Sequence, residues 1–406
     1  MENADAAIRA IQVREERHTP QIVIDGRLAP GVSEEVAFGG TQNSNKLVAD
    51  GVNLNDPRGG EPLVNFPVVQ HVIRYAKEKN QTIGKNLEFT MVTNMSLMDD
   101  SKLEFLLENK VQLCTSIDGP EHLHDKQRKL PGLSAHKAAT GWIGKVNQAY
   151  VDMGLDPMLY HVEALLTTTR ETLPRWKEVV DTYVALGCRS LFLRPVDPFG
   201  FMDRTGPRIE YPRTEYMDFY RKSVDYIIEL NAQGVQIMER YAAIFLTKML
   251  RGEDPNFLDI RSPGGQGLGV LAYNYDGRIF TCDEGRMLAR EGDETFRLGH
   301  VRDARYRALM AHPTVRAMLV ASNLDAQPAC TACAYRPYCG VCPVHNHKTQ
   351  RSLAGRTRES SLCAAYMGIQ DFLFETLARA DGPTRAVLER WTSIPPRERF
   401  VHRAPR

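Results

Sequence analysis

The sequence predicts an α/β fold, a parallel sheet or partial barrel, followed by a small cysteine-rich unit towards the C-terminus. Three observations carry that prediction. From Phe66 to about Pro198, strand-like and helical stretches alternate, a pattern that needs crossover connections between parallel strands. Ser262-Pro263-Gly264-Gly265 then interrupts it, and a hairpin-like run follows. Cys282, Cys330, Cys333, Cys339, Cys342 and Cys363 crowd the last third, while Cys114 and Cys188 stand alone.

The elements follow in order. Val69, Ile73 and Ala76 recur at helical spacing, and Leu87 to Val92 reads as a strand. Asp99, Asp100 and Ser101 can cap a helix running to Lys110. Val111 to Ile117 is a second strand, stopped by Asp118-Gly119-Pro120. A helix from about Ala135 to Met153 leads to a strand from Tyr160 to Thr168. Leu173, Trp176, Val180, Tyr183 and Val184 mark an amphipathic helix with Gly187 at its end, and Ser190 to Val196 is the next strand. Helices over Thr214 to Gln233 and Met238 to Leu250 complete this part. Beyond the break, two strands joined at Asp276-Gly277 form a hairpin that delivers Cys282. The first sixty residues, punctuated by Pro30-Gly31, Gly39-Gly40, Gly51 and Asp56-Pro57, suggest no long element and read as a poorly ordered arm. The expected organisation is 1–58 as a divergent N-terminal segment, 59–261 as the α/β part, 262–375 as the cysteine-rich domain and 376–406 as a tail.

Composition sets bounds on function. With 43% hydrophobic and 25% charged residues the 406-residue chain can bury a sizeable core. A formal net charge of +1 gives no electrostatic case for nucleic acid or an anionic membrane. No signal-like apolar run opens the chain and no membrane-length apolar run occurs, so the expected compartment is the cytoplasm. Thiols stay reduced there, and clustered cysteines then favour metal over disulfides.

Cys330 and Cys333 form a CxxC pair, with Cys339, Cys342 and Cys363 following. Thiolates are soft ligands for iron or zinc, and four can close a tetrahedral or cubane site. A zinc site from Cys330, Cys333, Cys339 and Cys342 is the plainer alternative. Its tight spacing is unlike zinc ribbons, and it leaves Cys363 and Cys282 without a part.

The run from Cys330 to Pro343, with the later Cys363 and the earlier Gly277-xxxx-Cys282, resembles a SPASM domain of the radical-SAM superfamily. That resemblance implies a partial (β/α)6 TIM-like barrel of the radical-SAM type carrying a small cysteine-rich SPASM domain. It makes Cys330, Cys333, Cys339 and Cys363 the ligands of one auxiliary 4Fe-4S cluster, and Cys282 and Cys342 two ligands of another. The usual cysteine upstream of Gly277 is missing from Arg261 to Gly269. Gly59-Gly60-Glu61-Pro62 is similar to the family segment that contacts the amino group of S-adenosylmethionine. Thr93-Asn94, Ser116-Ile117-Asp118-Gly119 and His124-Asp125-xx-Arg128 fit the cofactor cleft, which implicates Asn94, Ser116, Asp118 and Arg128. Asp283 occupies the place of the proton acceptor in sulfatase maturases, with a solvated hairpin residue as the alternative. Leu191 to Pro195, Tyr273 to Gly277 and Tyr335 to Gly340 look most like maturases of His-Xaa-Ser peptide systems.

The family also needs three cysteines spaced CxxxCxxC ahead of GGEP, and here none precedes Cys114. The expectation therefore divides. The chain is a degenerate paralogue that binds peptide, a truncated copy of an active gene, or a disabled variant. The implied function is maturation of a peptide substrate or precursor peptide; the alternatives are a non-catalytic partner of an active maturase and a zinc-stabilised structural protein.

Overall fold

The computed structural model describes residues 61–200, 206, 208–255, 257–393 and 397–403, with the backbone of two further strands, β1 (Glu34–Phe38) and β2 (Lys46–Ala49). Both strands fall in the segment where the sequence suggested no element, and both run parallel inside the main sheet. They are four or five residues long, too short for periodicity to announce them.

The alternating part folds as its pattern demands. Strands β3 (Leu87–Val92), β4 (Val111–Ser116) and β5 (Glu163–Leu165) continue β1 in parallel, each register joined through crossover helices. The short parallel pair β6 (Ser190–Leu191) and β7 (Met238–Glu239) extends the series beside β5 without sharing its ladder. Strands β2, β1, β3, β4 and β5 thus lie side by side in one parallel ladder, and the parallel pair β6–β7 lies against the β5 edge, giving a partial TIM-like barrel. On the other side of β2 the sheet runs on into β8 (Val270–Tyr273), β9 (Arg278–Phe280) and β10 (Arg297–His300), the last three antiparallel.

Helix ends follow the local chemistry. Asp99 caps Asp100–Glu108 by accepting from the Lys102 N–H at 2.9 Å, and Ser134 does the same for Ala135–Asp152 through Lys137. The helix Phe66–Ile83 stops at Gly84, which is left-handed at φ 75°. Two strands are shorter than expected, and side chains from elsewhere explain why. Asp118 Oδ1 takes the Thr167 N–H at 3.0 Å, which pulls the chain after Leu165 off the ladder. The wholly buried Glu239 takes the Leu193 N–H at 3.1 Å and ends β6 early. Glu239 also splits the expected helix over Met238 to Leu250, since it closes β7 and caps Arg240–Leu246 through the Ala242 N–H.

Past residue 375 the chain does not trail away. The helices Ser361–Arg379 and Gly382–Trp391 pack on the barrel helix Arg213–Ala232. His402 then bridges backbone to backbone with Leu87 at 3.0 and 2.8 Å, and Phe400 packs edge-on to Tyr160. Arg397 pairs with Glu163 at 2.9 Å and Arg399 N–H donates to the Tyr160 hydroxyl. This strap closes the end of the barrel where strands begin, leaving the opposite end for chemistry. No helix among the described residues is long and apolar enough to cross a membrane.

Candidate cofactor and metal site

The C-terminal ends of adjacent parallel strands bring the expected cleft residues together. Glu61 caps the turn Pro62–Asn65, whose Pro62 is buried, and faces the end of β3. Its carboxylate accepts from the Thr93 hydroxyl at 2.5 Å, the Asn94 N–H at 2.8 Å and the Leu63 N–H at 3.1 Å. Burial raises its pKa above the usual carboxylate value, and these three hydrogen bonds only partly counter that. No ion pair to Glu61 exists among the described residues. Asn94 contributes its backbone here, because its side-chain oxygen is committed to the Ser96 N–H. Gly59 and Gly60 lie outside the described residues.

At the next strand end, Ser116 closes β4 half-buried and Asp118 is 1% exposed. Arg128 grips Asp118 with two donors, Nε at 2.7 Å and Nη2 at 3.2 Å, and reaches the Thr167 hydroxyl at 3.0 Å. The pair therefore staples β4 to β5. Gly119 sits at φ 116°, where a Cβ would come within 3.0 Å of Val179, so both backbone and space demand glycine. Thr167 and Glu239 were not legible as site-shaping residues, since their partners are 49 and 46 positions away. Arg194, after β6, pairs with Asp197 at 3.0 Å.

The cysteines separate into two surroundings. Cys330, Cys333, Cys339, Cys342 and Cys363 line one cavity together with Thr357 and Met367. Burial pushes the Cys339 thiol up to about 12, and Cys363, Cys330 and Cys333 add to the effect. Gly340 makes the loop possible. A Cβ there would lie 2.5 Å from the Asp259 carbonyl oxygen and 2.6 Å from the Arg261 nitrogen.

Cys282 and Cys342 are fully interior and share an apolar cluster with Phe199 and Phe296. Cys282 caps the helix Asp283–Arg290, its sulfur accepting from the Gly285 N–H at 3.4 Å. Beside Cys342 lies the buried Gln266, whose Nε2 is 3.8 Å from the sulfur and donates to Asp259 Oδ1 at 2.8 Å. Burial, reinforced by Asp259 and Asp283, pushes the neighbouring Glu284 up to about 8. Asp283 itself is buried against Arg286, whose Nε and Nη2 both reach Oδ1, at 2.8 and 2.6 Å. No three His, Cys, Asp or Glu side chains among the described residues converge on a single-ion site.

His345-Asn346-His347 points three ways. His345 is buried near Ser361, Asn346 holds the Ala354 carbonyl at 3.0 Å, and His347 meets Asp293 at 2.6 Å.

No family model matches the chain. A cysteine-type anaerobic sulfatase-maturating enzyme of Clostridium novyi is 22% identical over 284 residues, covering 70% of each chain. Among solved structures, anSMEcpe with bound AdoMet matches at TM-score 0.65 and 17% identity over 92% of this chain and 88% of that one. The same protein with bound AdoMet and the Kp18Cys peptide matches at 0.63 and 17%, over 86% of each. Streptococcus suis SuiB bound to its precursor peptide SuiA matches at 0.51 and 14%, over 80% of this chain and 74% of that one. Fold and sequence likeness agree: the chain has the fold of the anSMEcpe and SuiB structures, and its sequence is similar to that of the sulfatase-maturating enzyme over 70% of each chain.

Proposed function

We propose that this chain serves peptide maturation, binding a peptide and S-adenosylmethionine at the strand ends and one 4Fe-4S cluster in the cysteine-rich part. The observation that carries the reading is the cavity lined by Cys330, Cys333, Cys339 and Cys363, with Cys342 as a fifth sulfur at its wall. In a cubane each iron takes one thiolate, so four sulfurs should line a cavity rather than meet at a point. The cluster would supply electron transfer and the positive charge that keeps buried thiols ionised. Cys282 lies outside that cavity, and Cys342, on its wall, also has Gln266, Asp259 and Glu284 for neighbours.

Glu61 supports the cofactor half. A desolvated carboxylate without a cationic partner among the described residues suits an ammonium group, and the amino group of S-adenosylmethionine provides one. Ser116 and the Asp118–Arg128 pair shape the next strand end, and Asn94 presents the turn between them. Asp283 would accept a proton only after leaving Arg286. Reductive cleavage of the cofactor needs three thiolates that this sequence does not supply ahead of Gly59. A second reading, a partner that presents peptide to an active maturase, needs no such thiolates.

Anaerobic purification with iron, sulfide and zinc analysis tests the proposal. About four irons and four sulfides per chain are expected, lost on Cys330→Ala. Zinc without sulfide would overturn it. Turnover of S-adenosylmethionine to 5′-deoxyadenosine by this chain would exclude the partner reading.

A further inference from the structure

Among the described residues, those lining the cysteine cavity include no acid, and the two charged ones, Arg336 and Arg358, are both basic. Arg336 pairs with Asp325 at 2.7 Å. Arg358 is exposed on the turn Thr357–Glu359, directly before the helix Ser361–Arg379 that carries Cys363. It lines the cavity beside Cys330 and Cys363, and its charge acts on both thiols.

A further cation comes from the barrel. Lys248 sits in the turn Thr247–Arg251, which continues the helix Arg240–Leu246. Its half-buried ammonium donates to the Ile260 carbonyl at 2.5 Å and reaches the Tyr338 carbonyl at 3.5 Å. Tyr338 immediately precedes Cys339, and the next residue, Gly340, lies on the backbone of Asp259 to Arg261. A Cβ on Gly340 would come 2.6 Å from the Ile260 Cα. The ammonium therefore ties together the two segments that cross at Gly340, next to Cys339. Burial pulls its pKa below the usual lysine value, and the negative charges of Asp254 and Cys339 counter that. Asp254 is itself paired with Arg261 at 3.0 Å.

Charges fixed near a metal centre select its oxidation state. A 4Fe-4S cluster on four thiolates is an anion whose charge grows by one when an electron is added. Fixed cations therefore stabilise the reduced form more than the oxidised one. A half-buried charge keeps that effect at ordinary salt, whereas an exposed one is screened.

We propose that Lys248 and Arg358 are positioning residues of the cysteine cavity that raise the potential at which its cluster accepts an electron, Lys248 also tying the Cys339 loop to the barrel. Their role rests on the cluster reading above. One electron enters, and no bond is made or broken. An EPR-monitored redox titration of the anaerobically reconstituted full chain, with dithionite as electron donor, reads the potential directly. Lys248→Met should keep about four irons and leave the cluster about tenfold less reduced at the parental midpoint, a fall of about 59 mV. Lys248→Arg, which keeps the charge, should return the midpoint to its parental value. Arg358→Gln should lower the midpoint by less, and only at low salt. Parental midpoints in iron-loaded Lys248→Met and Arg358→Gln would overturn the proposal. If Lys248→Met holds no iron, Arg358→Gln decides, because that side chain is exposed and outside both Lys248 contacts. A lowered midpoint there upholds the charge effect, and a parental one overturns it. A wild-type chain with zinc and no iron removes the cluster reading as a whole. About four irons with unmoved midpoints remove only the role of the two cations.

Discussion

Two groups of sulfur sit side by side in the cysteine-rich part, and they differ in what surrounds them. Cys330, Cys333, Cys339 and Cys363 line one cavity with Cys342, and the charged side chain that acts on Cys330 and Cys363 is the cationic Arg358. Around Cys282 and Cys342, carboxylates and an amide have moved in, and Gln266 already bonds Asp259. The first surrounding offers soft donors that only a metal centre would use together. The second has completed much of its hydrogen bonding from within the chain. Ligand count alone would rank the two as four against two; the neighbours say they are different kinds of place.

The largest test of that difference is iron. Cys330→Ala or Cys363→Ala is expected to abolish iron and sulfide after anaerobic reconstitution, whereas Cys282→Ala and Cys342→Ala should keep about four irons per chain. Equal losses from both sets would erase the distinction. Gly340→Ala comes next, because the new methyl meets the backbone of Asp259 to Arg261 and not a flexible side chain. It should cost about 2–3 kcal/mol in denaturant unfolding and lower iron occupancy, as it lies between Cys339 and Cys342. Gln266→Leu removes the amide and leaves Asp259 without its donor. A loss of about 1–2 kcal/mol is expected, with iron content unchanged; a fall in iron would show that the two places act as one.

The smallest effect concerns the clamp that holds the helix Pro343–Gln350 in place. Asp293 accepts from the Thr295 N–H and from His347. Burial works against its ionised form, but these hydrogen bonds prevail and hold its carboxyl down at about 2. Its folded pKa is below its unfolded one, so the unfolded chain binds the extra proton and stability rises with pH. The contribution is present above about pH 4 and lost as pH falls through about 2. Asp293→Asn should flatten that acid limb by at most about 1 kcal/mol, given the partly exposed pair, as read from urea midpoints between pH 2 and 6.

Much of this was legible in the sequence, because the signals are local. Asp99 caps the helix it precedes, and Leu87 to Val92 is a strand over the predicted span, while the helix that begins at Phe66 runs to Ile83. The clustering of cysteines in the last third pointed to the region where five of them line one cavity. What could not be read depends on partners far along the chain. Asp118 shortens β5 through Thr167, and Glu239 ends β6 through Leu193. Asp283 is a middle case. Its partner Arg286 lies one helical turn away, but a hairpin end was expected there and not the start of a helix. Gln266 was hidden in a glycine-rich run that reads as a turn.

The strap of residues 397–402 has a consequence for how the chain is made. It joins the beginnings of β3 and β5, and 239 positions separate Arg399 from its partner Tyr160. A ribosome adding about 5–20 residues per second delivers the second partner roughly 10–50 s after the first. Until then the barrel stands open at its base, with Leu87, Phe89 and Tyr160 waiting for cover. Synthesis of this protein is therefore a race between the last residues and any chaperone or protease that finds the unfinished base first.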